Sequence, residues 1–91
     1  MAILSHPDVE DVGVLGVPDP EWGERVAAVV QVRADSELAT DDSSARTVLQ
    51  EYLADRLARY KVPHSVTVVR QLPRAANGKL RKQLLVPMVR R

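Results

Sequence analysis

The pattern of apolar and polar residues in the first third of the chain predicts two β-strands. Residues 9–17 hold a β-branched, apolar run, which predicts a strand over about that range. Residues 25–33 are apolar on both faces at their centre, which predicts a second strand in the middle of a sheet. The segment 18–23 between them contains two prolines and a glycine and is a turn, so an antiparallel hairpin is expected.

The rest of the chain predicts a helix, a third strand and a short closing helix. A polar loop over 34–43 ends in N-cap candidates, and the helical stripe that follows should stop before 61–63. This stripe consists of Ala45, Val48, Leu49, Tyr52, Leu53, Arg56 and Leu57. Residues 65–69 predict the third strand and 71–78 a loop. The closing helix is marked by Leu80, Leu84 and Leu85, with Pro87 as its limit.

These elements add up to an α+β fold. We expect a small three-stranded sheet with an antiparallel hairpin, packed with two to three helices. Residues 2–6 predict a helix stub that Pro7 stops. An element that begins at its last turn suggests that the chain was cut from a longer one.

Composition narrows the class of protein. The 91 residues form one small domain, and aromatic residues make up only 3%, so its core is aliphatic. Cysteine is absent, which excludes disulfides and thiolate metal sites and agrees with a cytoplasmic location. No apolar run is long enough to span a bilayer, and the N-terminus has no basic segment typical of a signal peptide.

Charge is unevenly distributed although the net charge is only +1. From Arg56 to the end, every charged side chain is basic. This part of the chain suits a phosphate-bearing ligand, but for a charge run alone an ordinary solvated surface is the favoured interpretation. Nucleic-acid binding is not expected, because the basic residues lack interleaved aromatics and the net charge is close to zero.

Candidate chemistry is confined to one loop. No serine lies in a nucleophile elbow, neither His6 nor His64 has metal-ligand spacing, and no glycine-rich phosphate loop is present. The segment before Lys79 differs, since Pro73 stiffens its entry and the pair Asn77-Gly78 favours a turn that projects a side chain. Four cations lie within a span of nine residues here, namely Arg74, Lys79, Arg81 and Lys82. Composition alone still favours a solvated loop.

Four motifs in register change that balance. They are the stretch His6–Val14, the stretch Gly16–Glu24, Tyr60-Lys61-Val62-Pro63, and Leu72-Pro73-Arg74 followed by Asn77-Gly78-Lys79. Together they resemble the C-terminal domain of the adenylate-forming superfamily, which contains acyl-CoA synthetases, peptide-synthetase adenylation domains and luciferases. The similarity extends over nearly the whole chain, from residue 2 to residue 85.

The resemblance implies a role for the lysine loop. Members of the family use ATP to convert a carboxylate into an acyl-adenylate and pyrophosphate, and then transfer the acyl group to a thiol. Lys79 corresponds to the catalytic lysine of the first step, with Asn77 and Gly78 positioning its loop. The domain is expected to rotate after adenylation and to close another face over the thiol.

The resemblance also implies a CoA side. Trp22, Tyr60 and Lys61 correspond to places where some CoA ligases contact the nucleotide end of CoA, with packing at the domain edge as an equal alternative for the two aromatic residues. Some relatives carry Arg at the position of Val62. Because this chain has no charge there, any contact of a cation with a CoA phosphate would fall to Lys61 or Arg59. ATP and CoA are then substrates of the parent enzyme, and Mg²⁺ is expected in the parent but not on this domain.

The sequence therefore predicts that residues 1–91 are the mobile C-terminal lid domain of a carboxylate–CoA ligase. Its partners would be the large N-terminal domain, a carboxylic acid such as a fatty acid, ATP and CoA, with no nucleic acid and no membrane span. The turn at 18–24 favours a CoA ligase over a peptide-synthetase domain. A free-standing module for a phosphate ligand or an acidic partner is a further alternative. The ATP and acyl pockets would lie upstream, so we expect the isolated chain to be inactive.

Overall fold

The computed structural model describes residues 3–21, 23–58, 62–80 and 82–89, and for Lys82 the backbone only. It contains strands β1 (Val9–Asp19), β2 (Gly23–Val32) and β3 (Ser65–Val69) and helices α1 (Asp42–Ala54) and α2 (Lys82–Leu85). Single 3₁₀ turns lie at Ile3–Ser5, Glu37–Ala39 and Val86–Met88. The predicted α+β class is confirmed.

The sheet has the order β1-β2-β3, so β2 is the central strand, as predicted. β1 pairs with β2 in an antiparallel hairpin, while β3 pairs with β2 in parallel. The parallel pairing follows from chain connectivity, because α1 carries the chain back along the sheet before β3 begins. The sheet is therefore mixed.

Apolar side chains cover both faces of the sheet. On one face, α1 packs through Ala45, Leu49 and Leu53, all 0% exposed, against a strand cluster. That cluster includes Val12, Ala28, Val30 and Val66. On the other face, Leu15, Ala27 and Val29 pack with Leu72, Leu80 and Leu85. The segment that carries Lys79 is thus one of three layers and is held to the sheet by buried leucines.

A glycine in β1 brings the third layer close to the sheet. A Cβ atom at Gly13 would lie 2.7 Å from side-chain atoms of both Leu80 and Leu85. Since real Cβ contacts are essentially never shorter than 3.0 Å, any larger residue at this position would displace the leucines. Gly13 therefore permits the two leucines next to the Lys79 loop to contact the strand.

Several predicted bounds are wrong by a few residues. The hairpin ladder runs on to the pair Asp19 and Gly23, so the turn is shorter than 18–23. Pro18 is accommodated because β1 is an edge strand, where a missing N–H need not remove a ladder bond. The Ile3–Ser5 turn agrees with the predicted helix stub for the residues that the structure describes.

The helix predictions need three corrections. α1 ends at Ala54 rather than close to residue 61, and the N–H groups of Arg56 and Leu57 both donate to the Leu53 carbonyl as it closes. Val48 belongs to the predicted helical stripe but is 38% exposed, so the face of α1 that is buried is narrower than that stripe. Pro87 does not limit the closing segment, because it lies inside the 3₁₀ turn that continues from α2.

Within the described ranges, no helix has the length and hydropathy that crossing a membrane requires.

Candidate functional site

The loop before Lys79 closes into a tight hairpin turn. Ala75 donates its N–H to the Lys79 carbonyl at 2.9 Å and accepts from the Gly78 N–H at 2.8 Å. Gly78 has a φ of 83°, the left-handed conformation that ends a three-residue hairpin loop. The Asn77 Oδ1 accepts the N–H of Lys79 at 3.1 Å. The predicted turn is present, and Lys79 directly follows it.

The entry to this loop is anchored on β2. Leu72 is 3% exposed and its N–H donates to Gln31 Oε1 at 2.9 Å. The same carboxamide donates from Nε2 to Glu10 Oε1 at 3.3 Å. Gln31 therefore fixes the backbone at the start of the loop while its own orientation is held by β1.

Arg74 ties the middle of the loop to β1. Its guanidinium donates to Asp11 from Nε at 3.1 Å to Oδ2, and from Nη2 at 2.7 Å to Oδ1 and 2.6 Å to Oδ2. Its Nη1 donates to the Gly78 carbonyl at 3.1 Å. One side chain thus links the strand carboxylate to the turn before Lys79. Arg74, one of the four clustered cations, is therefore paired with a carboxylate.

A β-bulge explains why Asp11 lies on the loop side of the sheet. Val9 pairs with Val32 and Asp11 with Gln31, so Glu10 is an extra residue in β1. In a regular strand, positions three apart face opposite sides, yet Val9 and Val12 both pack in the core against α1. The bulge places them on one face and directs Asp11 to the other, next to Gln31.

The Lys79 side chain projects from this framework into solvent. The residue is exposed, and its hydrogen bonds with the described residues involve only its backbone N–H and carbonyl groups. An ammonium on a long stem is a compact donor to oxyanions, and this one makes no bond with any residue that the structure describes. The arrangement offers an exposed cation on a turn that is tied to the sheet.

The other candidates fare differently. Trp22, Tyr60 and Lys61 lie outside the described residues, as do Arg59, Arg81 and the side chain of Lys82. The His6 ring accepts the Asp8 N–H at 3.1 Å through Nδ1 and packs edge-on against Tyr52. Among the residues described, no three His, Asp or Glu side chains are grouped to hold a metal ion.

Sequence reasoning missed two residues of this framework, Asp11 and Gln31. In the sequence, Asp11 stands out only as a member of the motif stretch His6–Val14, and Gln31 only as part of the second predicted strand. The available signal was the spacing of Val9 and Val12, because two core residues three apart in a strand indicate a bulge between them. The pairing of Asp11 with Arg74, which are 63 residues apart in the chain, required the structure.

Comparison with known proteins shows extensive similarity. A sequence family described as the AMP-binding enzyme C-terminal domain matches residues 1–79. The mitochondrial malonate–CoA ligase of Homo sapiens is 39% identical over 84 residues, which are 92% of this chain and 14% of that protein. The 2-succinylbenzoate–CoA ligase of Geobacillus kaustophilus is 39% identical over 87 residues, 96% of this chain and 16% of that protein.

A solved structure supports the fold as well. The Mycobacterium tuberculosis fatty acyl CoA synthetase matches with a TM-score of 0.75 and 37% identity, covering 92% of this chain and 15% of that one. The chain therefore spans about a seventh of the length of the relatives that it matches.

Proposed function

The chain belongs to the family of AMP-binding enzyme C-terminal domains, and from this premise we propose that it is the mobile C-terminal domain of a carboxylate–CoA ligase. In this proposal Lys79 assists the formation of an acyl-adenylate from a carboxylic acid and ATP. The observation that carries it is the exposed Lys79 ammonium, unpaired among described residues, on a turn fixed to two strands. Such a group is positioned to serve a reacting centre outside its own domain.

The chemistry of the first step accounts for a lysine. A carboxylate oxygen attacks the α-phosphorus of ATP, a new oxygen–phosphorus bond forms, and the bond to pyrophosphate breaks. Two anions must approach, and negative charge is spread over the phosphoryl oxygens in the transition state. A preorganised cation at those oxygens stabilises the transition state more than the separated reactants. We assign that contact to the Lys79 ammonium.

The second step explains why the domain should move. The sulfur of CoA attacks the acyl carbon, the carbon–oxygen bond to AMP breaks, and the thiol proton is released. No bond to phosphorus forms or breaks in this step, so the transition state that Lys79 is proposed to stabilise does not recur and its loop can leave the site. Another face of the domain would then meet CoA, with Trp22, Tyr60 and Lys61 proposed there on the resemblance of their motifs.

The proposal assigns the remaining parts of the active site to a large N-terminal domain. The relatives named above are several times longer than this chain, which supports such a partner and an inactive isolated chain. Mg²⁺ neutralises phosphate charge when it accompanies ATP, and we assign it no ligand among the described residues. A cytoplasmic location stays a prediction, since one relative is named as mitochondrial.

The main alternative is a peptide-synthetase adenylation domain, in which a carrier-protein thiol replaces CoA as the acyl acceptor. The CoA-ligase names of the relatives support CoA. Supplying the complete enzyme with each acceptor in turn, and measuring thioester formation, distinguishes the two.

The experiment on Lys79 separates the two half-reactions in the complete ligase. We expect Lys79→Ala to lower the rate of carboxylate-dependent ATP–pyrophosphate exchange by about a hundredfold or more, because one preorganised transition-state donor is lost. Thioester formation from CoA and supplied acyl-adenylate should keep its rate. Arg70→Ala is the matched control, since Arg70 is an exposed cation shortly before the loop and its loss changes the net charge equally.

The role of Lys79 is decided by which half-reaction is lost in each variant. A Lys79→Ala enzyme that loses both half-reactions equally, or a control that loses exchange as strongly, contradicts the assigned role. Retention of full exchange activity by Lys79→Ala would contradict it more directly.

A further inference from the structure

The salt bridge between Arg74 and Asp11 has a geometry that fixes orientation. Both carboxylate oxygens of Asp11 accept from the guanidinium, with distances of 2.6 to 3.1 Å. Such a fork sets the angle of the two groups as well as their separation. Because the guanidinium is planar and rigid, its fourth contact, to the Gly78 carbonyl at 3.1 Å, is placed by the same fork.

The same pair is poorly suited to stabilising the fold. The side chains of Arg74 and Asp11 are 41% and 23% exposed, and ion pairs open to water contribute little to folding. Asp11, which holds Arg74, directly follows the Glu10 bulge, where β1 departs from regular pairing with β2. A bulge that directs a carboxylate toward a candidate catalytic loop is a feature expected at a functional site.

Gln31 anchors the loop at a second position, next to the contact between Asp11 and Arg74. It is the strand partner of Asp11, and it holds the Leu72 N–H while Asp11 holds Arg74. Pro73 lies between the two contacts and restricts the intervening backbone. Two anchors on neighbouring strands, on either side of a proline, fix the direction in which the turn and Lys79 leave the sheet.

We propose that Asp11 is a positioning residue for adenylate formation, which acts through the Arg74 guanidinium to place the turn that carries Lys79. The inference rests on the proposed function, since it names what holds Lys79 for that step. Asp11 contacts neither substrate nor the reacting atoms in this proposal. Its effect on the rate passes entirely through the position of Lys79.

The first test weakens the link with two conservative variants of the complete ligase. Asp11→Asn keeps the size of the side chain and an acceptor but removes the charge, and Arg74→Lys keeps the charge but removes the fork. We expect each to lower ATP–pyrophosphate exchange between about tenfold and a hundredfold, because misplacement by about 1 Å has effects of this size. Thioester formation from supplied acyl-adenylate should be unchanged.

A second salt bridge in the same chain supplies matched controls. Arg33 and Asp35 form a pair at 3.1 Å with side chains that are 51% and 73% exposed, and neither side chain bonds to the Lys79 loop in the described part of the chain. Asp35→Asn and Arg33→Lys make the same chemical changes and should leave both half-reactions unaltered. If these controls lose exchange as much as Asp11→Asn and Arg74→Lys, the inference is overturned.

The decisive test combines the variants with Lys79→Ala. Since Asp11 is proposed to act only through Lys79, Asp11→Asn should cause no further loss of exchange in an enzyme that already lacks the lysine. A merely structural role would instead multiply the two losses. Multiplicative losses, or full exchange activity in both Asp11→Asn and Arg74→Lys, would overturn the inference.

The two proposals fail in different ways. A Lys79→Ala enzyme with normal exchange contradicts the proposed function. A Lys79→Ala enzyme with strongly reduced exchange, combined with normal Asp11→Asn and Arg74→Lys enzymes, contradicts only the role of Asp11. If Asp11→Asn lowers the melting temperature so far that its rates cannot be compared, the Arg74→Lys enzyme, alone and with Lys79→Ala, decides the question by the same criteria.

Discussion

Lys79 is distinguished from its neighbours by what its side chain does not contact. The Arg74 guanidinium is engaged by Asp11 and Gly78, and the Asn77 side chain accepts the Lys79 N–H. The Lys79 ammonium has no bond to any residue in the described part of the chain. By residue type alone, Arg74 and Lys79 belong to one cluster of cations. Their contacts distinguish them, because Arg74 supports the loop and Lys79 is left as the catalytic candidate.

The glycine of the turn provides a test at the scale of single residues. Gly78 has a φ of 83° and a Cβ atom there would meet nothing within 4 Å, so backbone conformation alone sets the cost of substitution. We expect Gly78→Ala to lower the free energy of unfolding by about 1–2 kcal/mol, and Gly78→Asn by less, because Asn tolerates the left-handed region. Urea denaturation of the chain measures both.

The exposed residue Ala76, in the same turn, serves as the control. Ala76→Ser should change the free energy of unfolding by no more than about 0.5 kcal/mol, as is usual at exposed positions. Equal destabilisation by Gly78→Ala and Gly78→Asn would show that the left-handed conformation is not what Gly78 supplies.

At the scale of elements, the periodicity of apolar residues predicted the strands and the main helix. The three strands, the central place of β2, and α1 were all predicted, since each has a clear apolar pattern. The end of α1 was not predicted, because Leu57 continues the apolar pattern and still packs on the core after the helix has ended at Ala54. A pattern of burial does not distinguish a helix from a chain that follows it along the same surface.

Long-range contacts account for the other features that the sequence left open. The parallel pairing of β3 depends on the path of α1, and the contact between Asp11 and Arg74 depends on the bulge at Glu10. Neither has a local signature in the residues that make the contact. The candidate site was therefore predictable as the loop Asn77-Gly78-Lys79, through resemblance, but its supports in β1 and β2 were not.

Helix α1 and strand β3 share a contact that can be tested at this scale. Asp42 Oδ1 accepts the Val68 N–H at 2.8 Å, and both groups are partly buried. We expect Asp42→Ala to lower the free energy of unfolding by about 1–3 kcal/mol, because it leaves a partly buried donor unsatisfied. Asp42→Asn keeps an acceptor oxygen and should lower it less.

Glu51→Ala is the control for Asp42, since Glu51 is exposed on the same helix and carries the same charge. Urea denaturation gives the free energies, and amide hydrogen exchange should quicken at Val68 in Asp42→Ala. A Val68 amide as protected in Asp42→Ala as in the unmodified chain would contradict the proposed contribution of this contact.

At the scale of the whole molecule, β2 joins the core to the candidate site. Residues 27–30 of this strand are at most 1% exposed, because α1 covers one face and the layer of Leu72, Leu80 and Leu85 covers the other. The same strand holds the Lys79 loop through Gln31. A domain built in this way can carry its loop as one body when it moves against a partner, as the proposed alternation between two half-reactions requires.

The most direct measurement is a distance in the complete ligase crystallised with its carboxylic acid and a non-hydrolysable ATP analogue. We predict that the Lys79 Nζ lies within hydrogen-bond distance, about 2.7–3.2 Å, of an oxygen of the carboxylate or of the α-phosphate. In a second structure with CoA bound for the thioester step, the Lys79 loop should lie outside the site. A Lys79 Nζ that stays in solvent in both structures would contradict the proposed role of this domain.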